Sequence, residues 1–130
     1  MTATHDWPEV AANLSHALRP LRQGAPDAMT AFAGLARAAL EPKALSTRTK
    51  ELIALAISVA TRCDGCIAFH AEAAVRQGAS RDEVMETMGM AIYMGAGPSV
   101  MYAAQALEAF DQFAGKTAKT APPLAVDGTA

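Results

Sequence analysis

Apolar residues recur along the chain at the three- and four-residue spacing of amphipathic helices, and most of them are Ala, Leu or Met. Runs of β-branched residues are scarce, so the sequence offers little material for strands. The pattern predicts an all-α fold of about six helices in a single domain.

The first two predicted helices occupy residues 1–44. One begins at Asp6–Glu9, which combines an N-cap, an acid three residues later and a proline in the first turn, and it is predicted to stop before Pro20. The other is predicted from about Asp27 to Leu40. Its apolar face consists of Met29, Phe32, Ala33, Ala36 and Leu40.

Two further helices form the centre of the predicted core domain, residues 45–114. The third helix has Ser46 or Thr47 as its cap and a broad apolar stripe, and it ends just before Cys63–Cys66. The fourth helix begins within that segment and ends where Gly78 supplies a left-handed residue. The two helices therefore form a predicted hairpin.

The last two helices are separated by a predicted break. A capping box at Ser80–Glu83 starts the fifth helix, which is interrupted at Gly95–Pro98. The sixth helix runs to about Phe113. Residues 115–130 contain few large apolar groups, so this C-terminal tail is expected to be disordered.

The candidate chemistry lies at the start of the fourth helix. Cys63, Cys66 and His70 are spaced i, i+3 and i+7, so they form one stripe on a helix. Unpaired amides and the helix dipole favour a thiolate at a helix N-terminus, and imidazole exchanges protons near neutral pH. The spacing indicates a redox-active dithiol with a base beside it.

Two other interpretations of the same residues stay open. Free cysteines are often inert and buried, so the pair could simply belong to the core. A zinc site could use both thiols and His70, with Glu51 as a fourth ligand. Structural zinc sites usually draw on two separated ligand pairs, and only one pair is present here, so no metal is expected. No strand precedes the glycines of the fifth helix, so a dinucleotide fingerprint is absent and no cofactor is expected either.

Glu51 stands in an otherwise apolar stretch of the third helix. The pattern alone favours a solvent-facing side chain or an ion pair with Arg48 or Lys50. Twelve helical residues place it about 18 Å from Cys63, although the hairpin returns His70 about 10 Å towards it. A relay of Glu51, water, His70 and a cysteine is therefore compatible with the hairpin.

Composition narrows the range of partners. The net charge is −2, and no segment reaches about 18 apolar residues, so neither nucleic acid nor a membrane is the expected partner. The acidic N-terminus is unlike a signal peptide, which predicts a cytoplasmic protein.

Wide apolar faces predict a homo-oligomer. Core or subunit contacts are the favoured role of five methionines, Met85, Met88, Met90, Met94 and Met101.

Residues 45–111 resemble the carboxymuconolactone decarboxylase/alkyl hydroperoxidase D-like family, in its Cys-x-x-Cys branch. The likeness rests on Lys50–Ser58 and on Cys63–His70, followed by Ala73-Ala74 and Gly78-Ala79. The most specific part of the likeness is a spacing pattern: a Glu, a stretch of helix, a Cys-x-x-Cys pair, three residues and a His. This chain has Gly65 where the alkyl hydroperoxidase D proteins have a second His.

The resemblance implies an all-helical trimer or hexamer that reduces a hydroperoxide or an oxidised thiol and is restored by an unidentified thiol reductant. It assigns the redox pair to Cys63 and Cys66, and the proton relay to Glu51 and His70. The decarboxylase branch lacks the cysteine pair, so the resemblance does not imply lactone decarboxylation. The alternative of another class is a non-enzymatic helical oligomer with a redox-sensing or structural cysteine pair.

Overall fold

A computed structural model of the chain describes residues 2–120. The helices in this range are α1 (Trp7–Gly24), α2 (Pro26–Leu40), α3 (Thr47–Ala60), α4 (Asp64–Arg76) and α5 (Arg81–Thr120). No strand occurs in the described range, which confirms the all-α prediction. Non-helical dihedrals at Ala96 (φ 57°, ψ −151°) divide α5 into two arms, at the position of the predicted break.

The helix starts follow the predicted caps. The Asp6 side chain accepts from the amide of Glu9, and Ser46 caps α3. Ser80 and Glu83 form a complete capping box, because each side chain accepts a hydrogen bond from the other residue's backbone N–H. Local side-chain chemistry therefore sets where these helices begin.

Two predicted helix ends are wrong. α1 continues through Pro20 to Gly24, because this stretch is exposed and water can solvate the carbonyl that loses its partner. α5 continues to Thr120, so residues 115–120 of the predicted tail are helical, and residues 121–130 lie outside the described range. Buried Phe113 anchors the preceding turn, and propagation of an existing helix is favourable for Ala and Lys.

The core lies between α3, α4 and α5, and α1 adds Trp7, which is fully buried. α2 has no buried residue, and Phe32 of its predicted apolar face is 65% exposed. Ala33 is exposed as well, whereas Met29, Ala36 and Leu40 are half-buried, so this face is only partly covered within one chain. Among the five methionines only Met88 is buried, so a core role holds for that one alone. No described helix is long and apolar enough to cross a bilayer.

A group of hydrogen bonds, the polar clasp, joins the start of α1 to the second arm of α5. The Glu108 carboxylate accepts hydrogen bonds from the amide and hydroxyl of Thr4, the amide of His5 and the indole N–H of Trp7. Gln112 donates to the His5 carbonyl and accepts from the Trp7 amide. Desolvation alone would raise the pKa of Glu108, but these hydrogen bonds outweigh it and lower the pKa. The clasp therefore favours the charged carboxylate.

Candidate active site

The α3–α4 junction places the cysteines on the first turn of α4. Arg62 has a positive φ of 55°, and the Cys63 amide donates to the Ser58 carbonyl at 3.1 Å, so the chain reverses over two residues. Cys63 is the N-cap of α4, and its sulfur accepts from the Cys66 amide at 3.2 Å. The helix terminus thus directs a backbone N–H at this sulfur.

Cys63 and Cys66 form a disulfide, with their Cα atoms 5.2 Å apart. Both residues are half-buried, so the bond is neither sealed in the core nor fully open. This bond corrects the interpretation of the pair as two inert free thiols in the core. Among the described residues, no three His, Cys, Asp or Glu side chains are grouped to hold a metal ion.

Glu51 makes the second contact of the site. It is only 4% exposed on α3, and its carboxylate lies 2.7 Å from Nδ1 of His70 on α4. This distance is a direct hydrogen bond, so no water separates the two side chains as the predicted relay had it. A buried carboxylate is therefore satisfied by a half-buried imidazole across the hairpin.

The solvent-facing orientation that the pattern favours for Glu51 is wrong, and so are its two suggested partners. Arg48 forms an ion pair with Glu83 at 3.6 Å, and the Lys50 ammonium donates to the Glu41 carbonyl at 2.7 Å. Both side chains point away from the core because they flank the buried stripe of α3. Glu51 therefore pairs with His70 and with neither of these two basic residues.

The paired imidazole lies next to the disulfide along α4. His70 follows Cys66 by four residues, so the two side chains share one face of the helix on consecutive turns. With Nδ1 donating to Glu51, the other ring nitrogen, Nε2, is the one that can accept and return a proton. The arrangement provides an oriented base beside a two-electron redox pair.

Gly65, between the cysteines, is covered by α1. A Cβ atom at this position would lie 2.8 Å from Cδ1 of Leu14. Leu14 therefore occupies the space that a side chain at position 65, such as the second His of the alkyl hydroperoxidase D pattern, would need. The sequence did not predict the contact with Leu14. The only signal in the sequence is the glycine at position 65, which shows that a neighbour can lie close but not which residue it is.

The contact gives a stability prediction. Gly65→Ala should be neutral or destabilising in the wild-type chain, because Leu14 must move. In a Leu14→Ala background the same change should stabilise by about 0.5–1 kcal/mol, the ordinary gain of Ala over Gly in a helix. Denaturant unfolding of the four proteins of this cycle measures the difference. Equal effects in both backgrounds would contradict the proximity of Leu14.

The chain belongs to the carboxymuconolactone decarboxylase family, whose model matches residues 26–109. The match begins at the start of α2, so α2 lies within the family region together with the α3–α4 hairpin.

Uncharacterised bacterial proteins are similar to this chain. One from Cupriavidus necator is 44% identical over 91 residues, which is 70% of this chain and 80% of that protein. One from Haemophilus influenzae is 41% identical over 105 residues, covering 81% and 93%. The crystal structure of an apo carboxymuconolactone decarboxylase family protein from Legionella pneumophila has 48% identity and a TM-score of 0.81, covering 83% of this chain and 96% of that one. The helical fold is therefore shared with a solved member of the family.

Proposed function

We propose that this protein is an antioxidant thiol peroxidase of the alkyl hydroperoxidase D type, acting in the cytoplasm. Cys63 and Cys66 cycle between dithiol and disulfide while they reduce a hydroperoxide. The observation that carries the proposal is the Glu51–His70 hydrogen bond, which orients an imidazole one helical turn beyond the disulfide. A purely structural disulfide has no need of a buried carboxylate that fixes a neighbouring ring.

The first half of the cycle begins with the dithiol. His70 Nε2 takes the proton of the Cys66 thiol, and the thiolate attacks the terminal oxygen of the hydroperoxide. An S–O bond forms, the O–O bond breaks, and the proton held on His70 passes to the departing alkoxide. The products are an alcohol, or water when the substrate is hydrogen peroxide, and a sulfenic acid on Cys66.

The second half resolves the sulfenic acid. The Cys63 thiol attacks the Cys66 sulfur, which forms the disulfide and releases water. An external dithiol then reduces this disulfide by two successive exchanges and is itself oxidised to a disulfide. Atoms and electrons therefore balance as one hydroperoxide and one external dithiol consumed per turn.

The two cysteines differ in surroundings, and this supports their different roles. Cys66 lies one turn from His70, so it is the thiol that the base can reach along α4. Cys63 caps α4, and the amide directed at its sulfur stabilises a thiolate there. A thiolate stabilised in this way is a good leaving group when the disulfide is reduced. Cys66 is thus proposed as the attacking thiol and Cys63 as the resolving one.

We also propose that copies of the chain associate as a homo-trimer or homo-hexamer. The support is the apolar surface that one chain leaves uncovered, which includes Tyr93, Met94 and Met101 on α5.

The test is peroxide consumption by the purified protein with dithiothreitol and with thioredoxin- and lipoamide-type reductants. Catalytic turnover with at least one donor is the expected result, and the preferred donor identifies the reductant class. Disulfide formation that stops after one equivalent of peroxide with every donor would overturn the enzymatic proposal and favour a redox sensor.

A further inference from the structure

A small apolar cavity of about 330 Å³ lies between α2 and α3, and His70 is part of its wall. The remaining wall is formed by Ala36, Ala39, Leu40, Lys50, Ile53, Ala54 and Ile57.

The lining determines what the cavity can bind. Its side chains are aliphatic apart from His70 and Lys50, and the Lys50 ammonium already donates to the Glu41 carbonyl. The cavity therefore offers hydrocarbon contacts and one oriented imidazole, whose Nδ1 is occupied by Glu51. Such a wall favours an uncharged hydrocarbon group and gives a small polar molecule little to bind.

The size of the cavity points to a small molecule as its occupant. Ligand cavities typically measure about 300–1,000 Å³, so this one lies at the lower end of the range. A helix of a second copy, about 10–12 Å across with its side chains, is too wide to enter it. Ala36 and Ala39 of α2 line the cavity, so a larger side chain at either position would reduce its volume.

We propose that this cavity binds the aryl or branched-alkyl part of an organic hydroperoxide, and that Ala36 and Ala39 are specificity-determining residues. That the bound molecule carries a hydroperoxide group rests on the proposed function, whereas binding of a hydrocarbon group in the cavity does not. The hydrocarbon packs between α2 and α3, and the hydroperoxide group lies beside His70. Organic hydroperoxides gain this contact and hydrogen peroxide does not.

The first measurement is selectivity. The ratio of kcat/KM for cumene hydroperoxide to kcat/KM for hydrogen peroxide should be about 10 or more in the wild type and should fall at least about tenfold in Ala39→Leu. Ala38→Leu is the matched control, since Ala38 is exposed on the same helix and does not line the cavity. The control should retain the wild-type ratio. An unchanged ratio in Ala39→Leu would overturn the proposal.

The second measurement separates the cavity from the peroxidase activity. Cumyl alcohol, the reduced product, is titrated into the oxidised protein while the imidazole resonances of His70 are followed by NMR. Saturable shifts in the wild type and in Ala38→Leu, but not in Ala39→Leu, support the cavity even if no peroxide is turned over. Absence of shifts in the wild type, or equal shifts in Ala39→Leu, would overturn the cavity proposal and leave the peroxidase proposal to its own test.

Discussion

Cys66→Ser should reduce peroxide turnover to the uncatalysed background, whereas Cys63→Ser should still reduce one equivalent of hydroperoxide per chain. The reason is the division of roles on the first turn of α4. Cys66 shares a helix face with His70, so in the proposed cycle it supplies the attacking thiolate and Cys63 resolves the sulfenic acid. Without Cys63, and with no external thiol added, the chemistry stops after the first step, and the sulfenic acid accumulates.

The Cys63→Ser variant is structurally conservative. Ser is among the preferred N-cap residues, so its hydroxyl can accept the Cys66 amide in place of the sulfur. Loss of the helix cap therefore does not complicate the comparison. Circular dichroism and thermal unfolding of the reduced proteins check that both variants retain the fold.

The sulfenic acid distinguishes the two cysteines directly. A single addition of hydroperoxide, followed by a carbon acid that traps sulfenic acids and by mass spectrometry, should label Cys66 in Cys63→Ser and leave Cys66→Ser unlabelled. Labelling of Cys63 in Cys66→Ser, with none in the other variant, would exchange the two roles. Turnover in both variants at the wild-type rate would refute a reaction that needs the pair.

Glu51→Gln should lower kcat by about 10- to 100-fold while the fold is retained. Gln is close to Glu in size, and its carbonyl can still accept from Nδ1 of His70, so the buried contact persists without the negative charge. The charge stabilises the imidazolium that forms when His70 takes the thiol proton, and general acid–base catalysis is worth about 10²–10⁴ in rate. Glu51 is a positioning residue in this scheme, because it acts through the ring.

The control for Glu51→Gln is Glu72→Gln. Glu72 also lies on the hairpin, but it pairs with Arg76 at 3.3 Å and has no described contact with His70. Separate values of kcat and KM give the second readout: Glu51→Gln should lower kcat and leave KM close to the wild-type value, and Glu72→Gln should change neither. A wild-type kcat in Glu51→Gln would reduce the buried pair to a structural contact.

The sequence predicts the helices well where a local signal marks their ends. The capping box at Ser80–Glu83 and the cap at Ser46 fix their helix starts through contacts within three residues. The end of α1 at Pro20 is mispredicted, because solvent exposure, which the sequence does not reveal, decides whether a proline can be accommodated.

The candidate site, too, is predicted where local spacing determines it and is not predicted where packing between helices determines it. The stripe of Cys63, Cys66 and His70 is visible because a helix brings spacings of three and four residues together. The orientation of Glu51 is not visible, since it depends on how α3 rotates against α4. Leu14 and the cavity beside α2 also depend on packing between distant segments. Contacts of this kind leave no periodic signature.

The Glu51–His70 contact spans only nineteen positions of the chain. Together with the disulfide it confines the proposed chemistry to one helical hairpin, residues 51–70, and the other helices serve as its support. Contacts this local are formed at little cost in loop closure. The groups proposed to react are therefore held by one hairpin, whereas α1 and α2 contribute Leu14 and the cavity wall that surround it.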